Sequence, residues 1–187
     1  MREIIGVVIL ILVSFLIALG GSYNNQMING TPMIFNCLFI AFGVQYLIFI
    51  PSYIFKTERV FDLAGMLTFL SIIAYMLLSR EISDFNYTGI ILAILISIWT
   101  LRLGLFLFYR IYNDKNDRRF DAIKNSFTKF LFTWTLQGTW VFITACPAIV
   151  VLCSHEINDS FSFLVLGTIL WMTGFFIEVI SDSQKRK

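Results

Sequence analysis

Residues 89–109 read GIILAILISIWTLRLGLFLFY, an apolar run with a single charge, Arg102. An α-helix rises about 1.5 Å per residue, so about 20 such residues cross the hydrocarbon core of a bilayer. The run therefore predicts a transmembrane helix.

The composition of the whole chain agrees with this stretch. Of 187 residues, 58% are hydrophobic and only 14% are charged, and the mean hydropathy is +0.80. This balance leaves too little polar surface to cover a globule in water. It excludes an ordinary soluble enzyme, a disordered chain and a disulfide-rich secreted scaffold, and the bilayer is the expected solvent.

Five further apolar stretches come close to the spanning length. The six predicted spans are residues 4–20, 33–55, 60–79, 89–109, 130–153 and 161–180. We therefore predict an all-α fold, a polytopic helical bundle of six transmembrane helices that forms a single membrane domain over residues 1–187. The first stretch also fits a secretory signal peptide, but it is long for one and five spans follow, so we expect a retained span.

The basic residues are distributed unevenly between the two sides of the predicted bundle. Of the 14 lysines and arginines, all except Arg80 fall on the side that carries both termini and the loop 110–129. The positive-inside rule then predicts that both termini are cytoplasmic. We expect an integral multi-pass membrane protein; the bacterial inner membrane is favoured, although the sequence does not distinguish it from the endoplasmic reticulum.

The sequence gives little support for metal or nucleic-acid chemistry. Cys37, Cys146 and Cys153 lie in or at the ends of apolar segments without a ligand spacing, and His155 is the single histidine. These cysteines are expected to be small core residues, and no metal site is predicted. No nucleic-acid-binding module and no glycine-rich phosphate loop is present, so neither nucleic acid nor a Rossmann-type nucleotide site is expected.

Polar residues within spans are candidates for function because they are costly in lipid. Arg102 lies about two turns from the end of the fourth span, where it either snorkels to the headgroups or contacts an anion. In the fifth span Thr133, Gln137, Trp140 and Thr144 share one helical stripe. The stripe predicts either hydrogen bonds between helices or a Gln137 side chain that lines a cavity.

Two carboxylates, Glu178 and Asp182, lie one turn apart near the end of the sixth span. Like charges this close need a cation, a donor or a shared proton, which suggests the arginines of the loop 110–129 as partners; interfacial solvation explains them equally well. The basic loop itself either binds the phosphates of a nucleotide or reflects topology alone.

An ordered set of motifs covers most of the chain from residue 57 onward. It comprises TERVFDLAG at 57–65, LRLGL at 101–105 and DRRFD at 117–121, then Phe130, Trp134, Gln137, Gly138, Pro147, Gly174, Glu178, Asp182, Gln184 and Lys185. This set resembles the steroid 5-alpha-reductase-like membrane proteins, and more specifically their branch called domain of unknown function 1295 (DUF1295).

The resemblance implies an oxidoreductase that acts on CH–CH groups. Such a protein binds NADPH from the cytoplasmic side and reduces an activated carbon–carbon double bond in a lipid-like or steroid-like substrate. The cofactor-binding residues implied are Arg102, Arg110, Asp117, Arg118, Arg119, Gln137, Glu178, Asp182, Gln184 and Lys185. Catalytic residues are not assigned, because the donor residues of the characterised reductases do not map onto this sequence.

The resemblance also carries one departure. Members of this family normally continue past the position of Lys187 into a further membrane segment that bears part of the cofactor site. We therefore expect the missing part to come from residues beyond Lys187 or from a partner polypeptide, with membrane lipids and a lipid-like substrate as the other partners. Reductase activity is expected to be incomplete without it.

Two other functions fit the same pattern. Membrane methyltransferases of the isoprenylcysteine and phospholipid type are similar in their C-terminal regions and combine a soluble cofactor with a lipidic substrate. A non-enzymatic membrane bundle is the third possibility. Binding of NADPH rather than S-adenosylmethionine separates the first two, and tolerance of alanine at Arg118, Gln137 and Glu178 favours the third.

The topology can be tested by labelling. We expect a cysteine introduced at Asn116 to react with a membrane-impermeant thiol reagent only when the cytoplasmic side is exposed, because the loop 110–129 is predicted to face the cytoplasm. A cysteine at Asn29 is the matched control and should show the opposite pattern. Labelling of Asn116→Cys from the outside of intact cells would contradict the orientation.

Overall fold

The protein folds into six long α-helices joined by short connections. The computed structural model describes residues 1–23, 25–79, 87–114, 117–153 and 161–185. The helices are α1 (Arg2–Gly21), α2 (Met33–Ile54), α3 (Phe61–Leu78), α4 (Tyr87–Asp114), α5 (Phe127–Cys153) and α6 (Phe161–Lys185). All six are long and apolar enough to cross a membrane. The prediction of an all-α, multi-pass membrane bundle is confirmed.

Three helices extend beyond the predicted spans by three residues or more. Helix α4 continues to Asp114 rather than ending at residue 109, α5 begins at Phe127 rather than 130, and α6 continues to Lys185 rather than ending at 180. Apolarity marks only the part of a helix that lies in hydrocarbon, whereas the backbone hydrogen bonds continue beyond it. The predicted loop 110–129 is therefore partly helical.

Helix α5 is the centre of the bundle and packs against α1, α2, α3 and α4. Its side chains Trp134, Phe142 and Ile149 are completely buried. Residues 55–60 and 117–126, together with the last turns of α4 and α6, lie at one end, which we call the basic end. Because α5 packs against four helices, its position determines how close the polar side chains of these helices come to one another.

A short hairpin closes the opposite end of the bundle. Strands β1 (Met27–Ile28) and β2 (Thr31–Pro32) pair antiparallel around Asn29 and Gly30, both of which have positive φ. Asparagine and glycine tolerate this conformation, and this pair is typical of tight hairpin turns. The backbone N–H of Gln26 donates to the carbonyl of Cys153 at 3.2 Å, which ties the hairpin to α5.

Helices α3 and α4 approach each other closely at Gly104. A Cβ atom at this position would lie 2.5 Å from Met66 Cβ and 2.7 Å from Met66 Sδ. Such distances are shorter than any van der Waals contact, so a side chain here would push the two helices apart. Because both residues line a cavity described below, this close approach also shapes the candidate site.

We expect Gly104→Ala to lower the free energy of unfolding by about 1–3 kcal/mol, since the overpacking at Met66 outweighs the better helix propensity of alanine. Gly167→Ala in α6 is the matched control, because nothing lies within 4 Å of a Cβ there. Thermal unfolding in detergent measures both. Equal stability of the two variants would contradict the close approach of α3 and α4.

Candidate functional site

Two adjoining cavities share part of α3 and α5: the small one lies between α3, α4 and α5, and the large one lies between α3, α5 and residues 119–123 at the basic end. The small cavity has a volume of about 160 Å³ and the large cavity about 510 Å³. Asp62, Gln137 and Trp140 line both cavities. The remaining walls are formed by Gly65, Met66, Phe69, Trp99, Thr100, Leu103, Gly104 and Leu107 in the small cavity and by Phe61, Arg119, Phe120, Ile123, Thr133 and Leu136 in the large one. An apolar lining with a few polar groups is typical of a small-molecule site.

Gln137 combines both roles that the sequence left open for it. Its Nε2 donates a hydrogen bond to the carbonyl oxygen of Phe61 at 3.1 Å, which joins α5 to α3, and the residue also lines both cavities. The hydroxyls of Thr133 and Thr144 instead donate within α5, to Lys129 and Trp140. The polar stripe is thus divided, because a hydroxyl reaches its own helix whereas a longer carboxamide reaches the next one.

Arg119 lies at the edge of the large cavity nearest the basic end. Its side chain lines the cavity and is 71% exposed. The Nε atom donates to both carboxylate oxygens of Asp117 at 3.0 Å. This hydrogen bonding lowers the pKa of Asp117 and raises that of Arg119, so the pair stays ionised near neutral pH. We call this position, which joins the cavity to the outside, the mouth.

Three predicted site residues meet between α4 and α6. Arg102 Nη1 lies 2.7 Å from Glu178 Oε1, and Arg102 Nη2 lies 2.8 Å from Asp182 Oδ2. The described partner of both carboxylates is therefore an arginine within a span, rather than one from the loop as we expected. A guanidinium in hydrocarbon gains more from carboxylates on a facing helix than carboxylates at the interface gain from an exposed cation.

Trp99 links this ion-pair cluster to the cavities. Its indole Nε1 donates to Glu178 Oε2 at 3.0 Å, while its ring lines the small cavity. The ring lies 5.5 Å from that of Phe69 and 6.3 Å from that of Trp140, measured between centroids. Glu178 therefore holds part of the cavity wall in position from a second helix.

A buried ion pair anchors the segment that carries the mouth. Glu58 is 2% exposed, accepts the backbone N–H of Asp117 at 3.1 Å and pairs with Lys124 Nζ at 3.0 Å. The hydrogen bond to Glu58 raises the pKa of Lys124. The two contacts fix residues 117–124, including Arg119 and Phe120, against the connection between α2 and α3.

The other predicted site residues are less constrained. Arg110 and Gln184 are exposed, and Arg110 lies near enough to Asp62 to attract its carboxylate. The side chains of Arg118 and Lys185 lie outside the described residues. A cofactor role for all ten residues stays a prediction.

Sequence reasoning missed several residues that line the cavities or anchor the mouth. Asp62 and Glu58 appeared only within a motif, Trp99 was not singled out, and Lys124 was counted only as a loop charge. Their spacing along the chain does not indicate a shared site, because each residue meets its neighbours from a different helix or connecting segment.

We expect Lys124→Met to lower the free energy of unfolding by about 1–3 kcal/mol, because the buried Glu58 carboxylate loses its cation. A raised lysine pKa means that the stabilisation is complete below the ordinary value, about 10.4, and fades as the pH rises through the folded-state value. The loss should therefore be the same at pH 7 and pH 9 in thermal unfolding. Lys129→Met, at an exposed position, is the control; an equal effect of both variants would contradict the anchor.

The comparison with known protein families agrees with the motifs found in the sequence from residue 57 onward. The family model described as "Protein of unknown function (DUF1295)" matches residues 48–187, which is 140 of the 187 residues and includes every residue that lines the two cavities. No curated protein and no solved structure shows a significant match. Because the match extends over most of the chain, the protein belongs to the DUF1295 family.

Proposed function

We propose that the protein is a membrane reductase that uses NADPH to reduce a carbon–carbon double bond in a lipid-like substrate. The observation that carries the proposal is the large cavity, whose mainly aromatic and aliphatic lining extends to an exposed arginine at the mouth. An apolar reactant fits the first part, and an anionic coenzyme fits the second. The resemblance to steroid 5-alpha-reductase-like proteins supports the same chemistry.

The residues at the mouth suit a phosphate-bearing cofactor. A guanidinium has five N–H donors, and Asp117 occupies those of Nε and Nη2 on Arg119, so donors remain for a phosphate. Arg110 adds a second exposed cation at the same end. Placing this end in the cytoplasm, as the sequence predicts, gives the mouth access to soluble NADPH.

The Arg102 cluster suits a phosphate less well. One guanidinium between Glu178 and Asp182 leaves a net negative charge when all three groups are ionised, which repels a phosphate. We therefore propose that these three residues position the Trp99 ring and attach α6 to α4. The phosphates are expected to bind at Arg119 and Arg110. Trp99 and Trp140 then contribute the apolar surface beside which the reactive groups meet.

When bound through Arg119 and Arg110, NADPH would supply a hydride to the substrate carbon beta to an activating carbonyl, and the alpha carbon would take a proton from water, so that the double bond becomes a single bond. The chain's own residues would hold the reactants in register and exclude bulk water. Phe69, Trp99 and Trp140 would form an apolar wall beside the reactants. Asp62 and Gln137, on the two sides of the wall shared by the cavities, are the polar groups able to orient a reactant there.

Nucleotide binding to the protein in lipid nanodiscs tests the proposal. We expect saturable binding of NADPH, detected by energy transfer from tryptophan, and no displacement by S-adenosylmethionine. Arg119→Ala should weaken the affinity about tenfold, because a charge-assisted hydrogen bond to phosphate is lost. Lys129→Ala removes the same charge at an exposed position that lines neither cavity, and should change the affinity by less than about twofold.

Two outcomes would overturn the proposal. Saturable binding of S-adenosylmethionine without binding of NADPH would identify a methyltransferase instead. Binding of neither cofactor would favour a non-enzymatic bundle.

Raising the salt concentration should weaken NADPH binding in the wild-type protein more than in Arg119→Ala, because exposed charges are screened.

A further inference from the structure

A third cavity lies at the end of the bundle opposite the basic end. It has a volume of about 590 Å³ and is bounded by the β-hairpin, the first turns of α2 and the last turn of α3. We call it the hairpin cavity. Its lining includes Thr31, Asn36, Phe39, Ile40, Tyr75 and Ser79. None of these residues lines the two cavities of the proposed function, so the hairpin cavity is a separate space.

One hydrogen bond in the lining of the hairpin cavity joins α2 to α3. Asn36 Nδ2 donates to the phenol oxygen of Tyr75 at 2.8 Å, and both side chains are half-buried. Because this oxygen accepts, its own O–H is left to donate. The other amide atom, Asn36 Oδ1, has no hydrogen bond within the described part of the chain and is not buried. The pair therefore offers a donor and an acceptor beside each other.

A donor beside an acceptor matches a hydroxyl group. A hydroxyl can accept from Tyr75 and donate to Asn36 at the same time, whereas an ether or a carbonyl only accepts and an ammonium only donates. Thr31 and Ser79 bring two further hydroxyls to the same lining. A molecule with several hydroxyls can therefore use several of these groups together.

The described lining of the hairpin cavity carries no charge. Its polar members are amides and hydroxyls, whereas the large cavity is lined by Asp62 and Arg119. A phosphate that entered the hairpin cavity would lose water without gaining a cation from this lining, which is costly. Arg80, which follows Ser79, lies outside the described residues. The described lining thus favours an uncharged polar group over a phosphate.

The hairpin cavity changes from polar to apolar along α2. Asn36 lies three residues after the start of the helix, which is about 5 Å along its axis, and this is the depth at which tyrosines such as Tyr75 are favoured in membranes. Phe39 lies one turn deeper and is 64% exposed, with Ile40 beside it. This order of surfaces fits an amphiphile with a polar headgroup and an apolar chain.

We infer that the hairpin cavity binds a membrane lipid whose headgroup is uncharged and bears several hydroxyls, as a sugar does. The headgroup hydroxyls pair with Asn36, Tyr75 and the hydroxyls around them, and the acyl chain lies along Phe39. In the predicted topology this lipid belongs to the outer leaflet. The site lies at the opposite end of the bundle from the proposed reductase site and does not depend on that function.

Three lipids with the same dioleoylglycerol anchor test the inference. A glucosyl headgroup brings hydroxyls, its tetra-O-methyl derivative has no O–H, and phosphatidylglycerol adds a negative charge. Native mass spectrometry of the protein in octyl tetraethylene glycol ether measures the bound lipid; maltoside detergents are avoided because their headgroup is itself a sugar. The glucosyl lipid should half-saturate at a concentration at least about fivefold lower than either other lipid, since one hydrogen bond accounts for about this factor.

Two variants locate the effect at the hairpin cavity. Tyr75→Phe removes the phenol O–H at nearly constant size and should reduce the preference for the glucosyl lipid at least about threefold. Tyr46→Phe is the matched control, because its hydroxyl also joins two helices, pairing with Thr135 Oγ1 at 3.1 Å, but lines none of the three cavities. Its preference should equal that of the wild-type protein.

Several results would overturn the inference. They are an absence of saturable binding of the glucosyl lipid, equal binding of its methylated derivative, and equal or tighter binding of phosphatidylglycerol. An unchanged preference in Tyr75→Phe would also overturn it, because the lipid would then bind elsewhere. The comparison of the three lipids in the wild-type protein stands even if Tyr75→Phe fails to fold.

Discussion

Hydrocarbon offers no hydrogen bonds, so every polar group within a span has to find its partner inside the protein. The described helices meet this constraint in two ways. Short hydroxyl side chains such as Thr133 donate to a carbonyl of their own helix, whereas the amides of Gln45 and Gln137 reach Thr68 and the carbonyl of Phe61 on α3. The long amides therefore determine how α2, α3 and α5 fit together.

The same constraint determines the position of α6. None of the residues in its spanning window is buried, and the contacts that join it to α4 are made by Glu178 and Asp182 with Arg102 and Trp99. A charged cluster in a low-dielectric setting is stable only while every member is paired, and removing one member leaves the others without a compensating charge. The attachment of α6 and the position of the Trp99 ring are thus consequences of one ion-pair cluster.

The two cavities bring polar side chains of the bundle to a common surface. Their shared lining residues are Asp62, Gln137 and Trp140, two of which bring polar groups to an otherwise mainly apolar surface. The Glu58 and Lys124 pair holds the mouth beside them, so an apolar cavity and a cationic opening are kept in a fixed relation.

The sequence by itself determined the class of fold and the approximate position of each helix. Apolar runs of spanning length are enough for this, because helix formation in lipid depends on local composition and length. It also singled out Arg102, Gln137, Glu178 and Asp182, since a polar residue in an apolar run can be recognised without knowing how the helices pack. What it left open was which of them meet.

Only the tertiary structure decided those pairings. Arg102 meets Glu178 across 76 residues of chain, and Glu58 meets Lys124 across 66. Such partners are selected by the rotation and contact of whole helices, to which every packed side chain contributes, so no local pattern encodes them. Asp62, Trp99 and the close approach at Gly104 became parts of a site for the same reason: a cavity is the space that several helices leave between them.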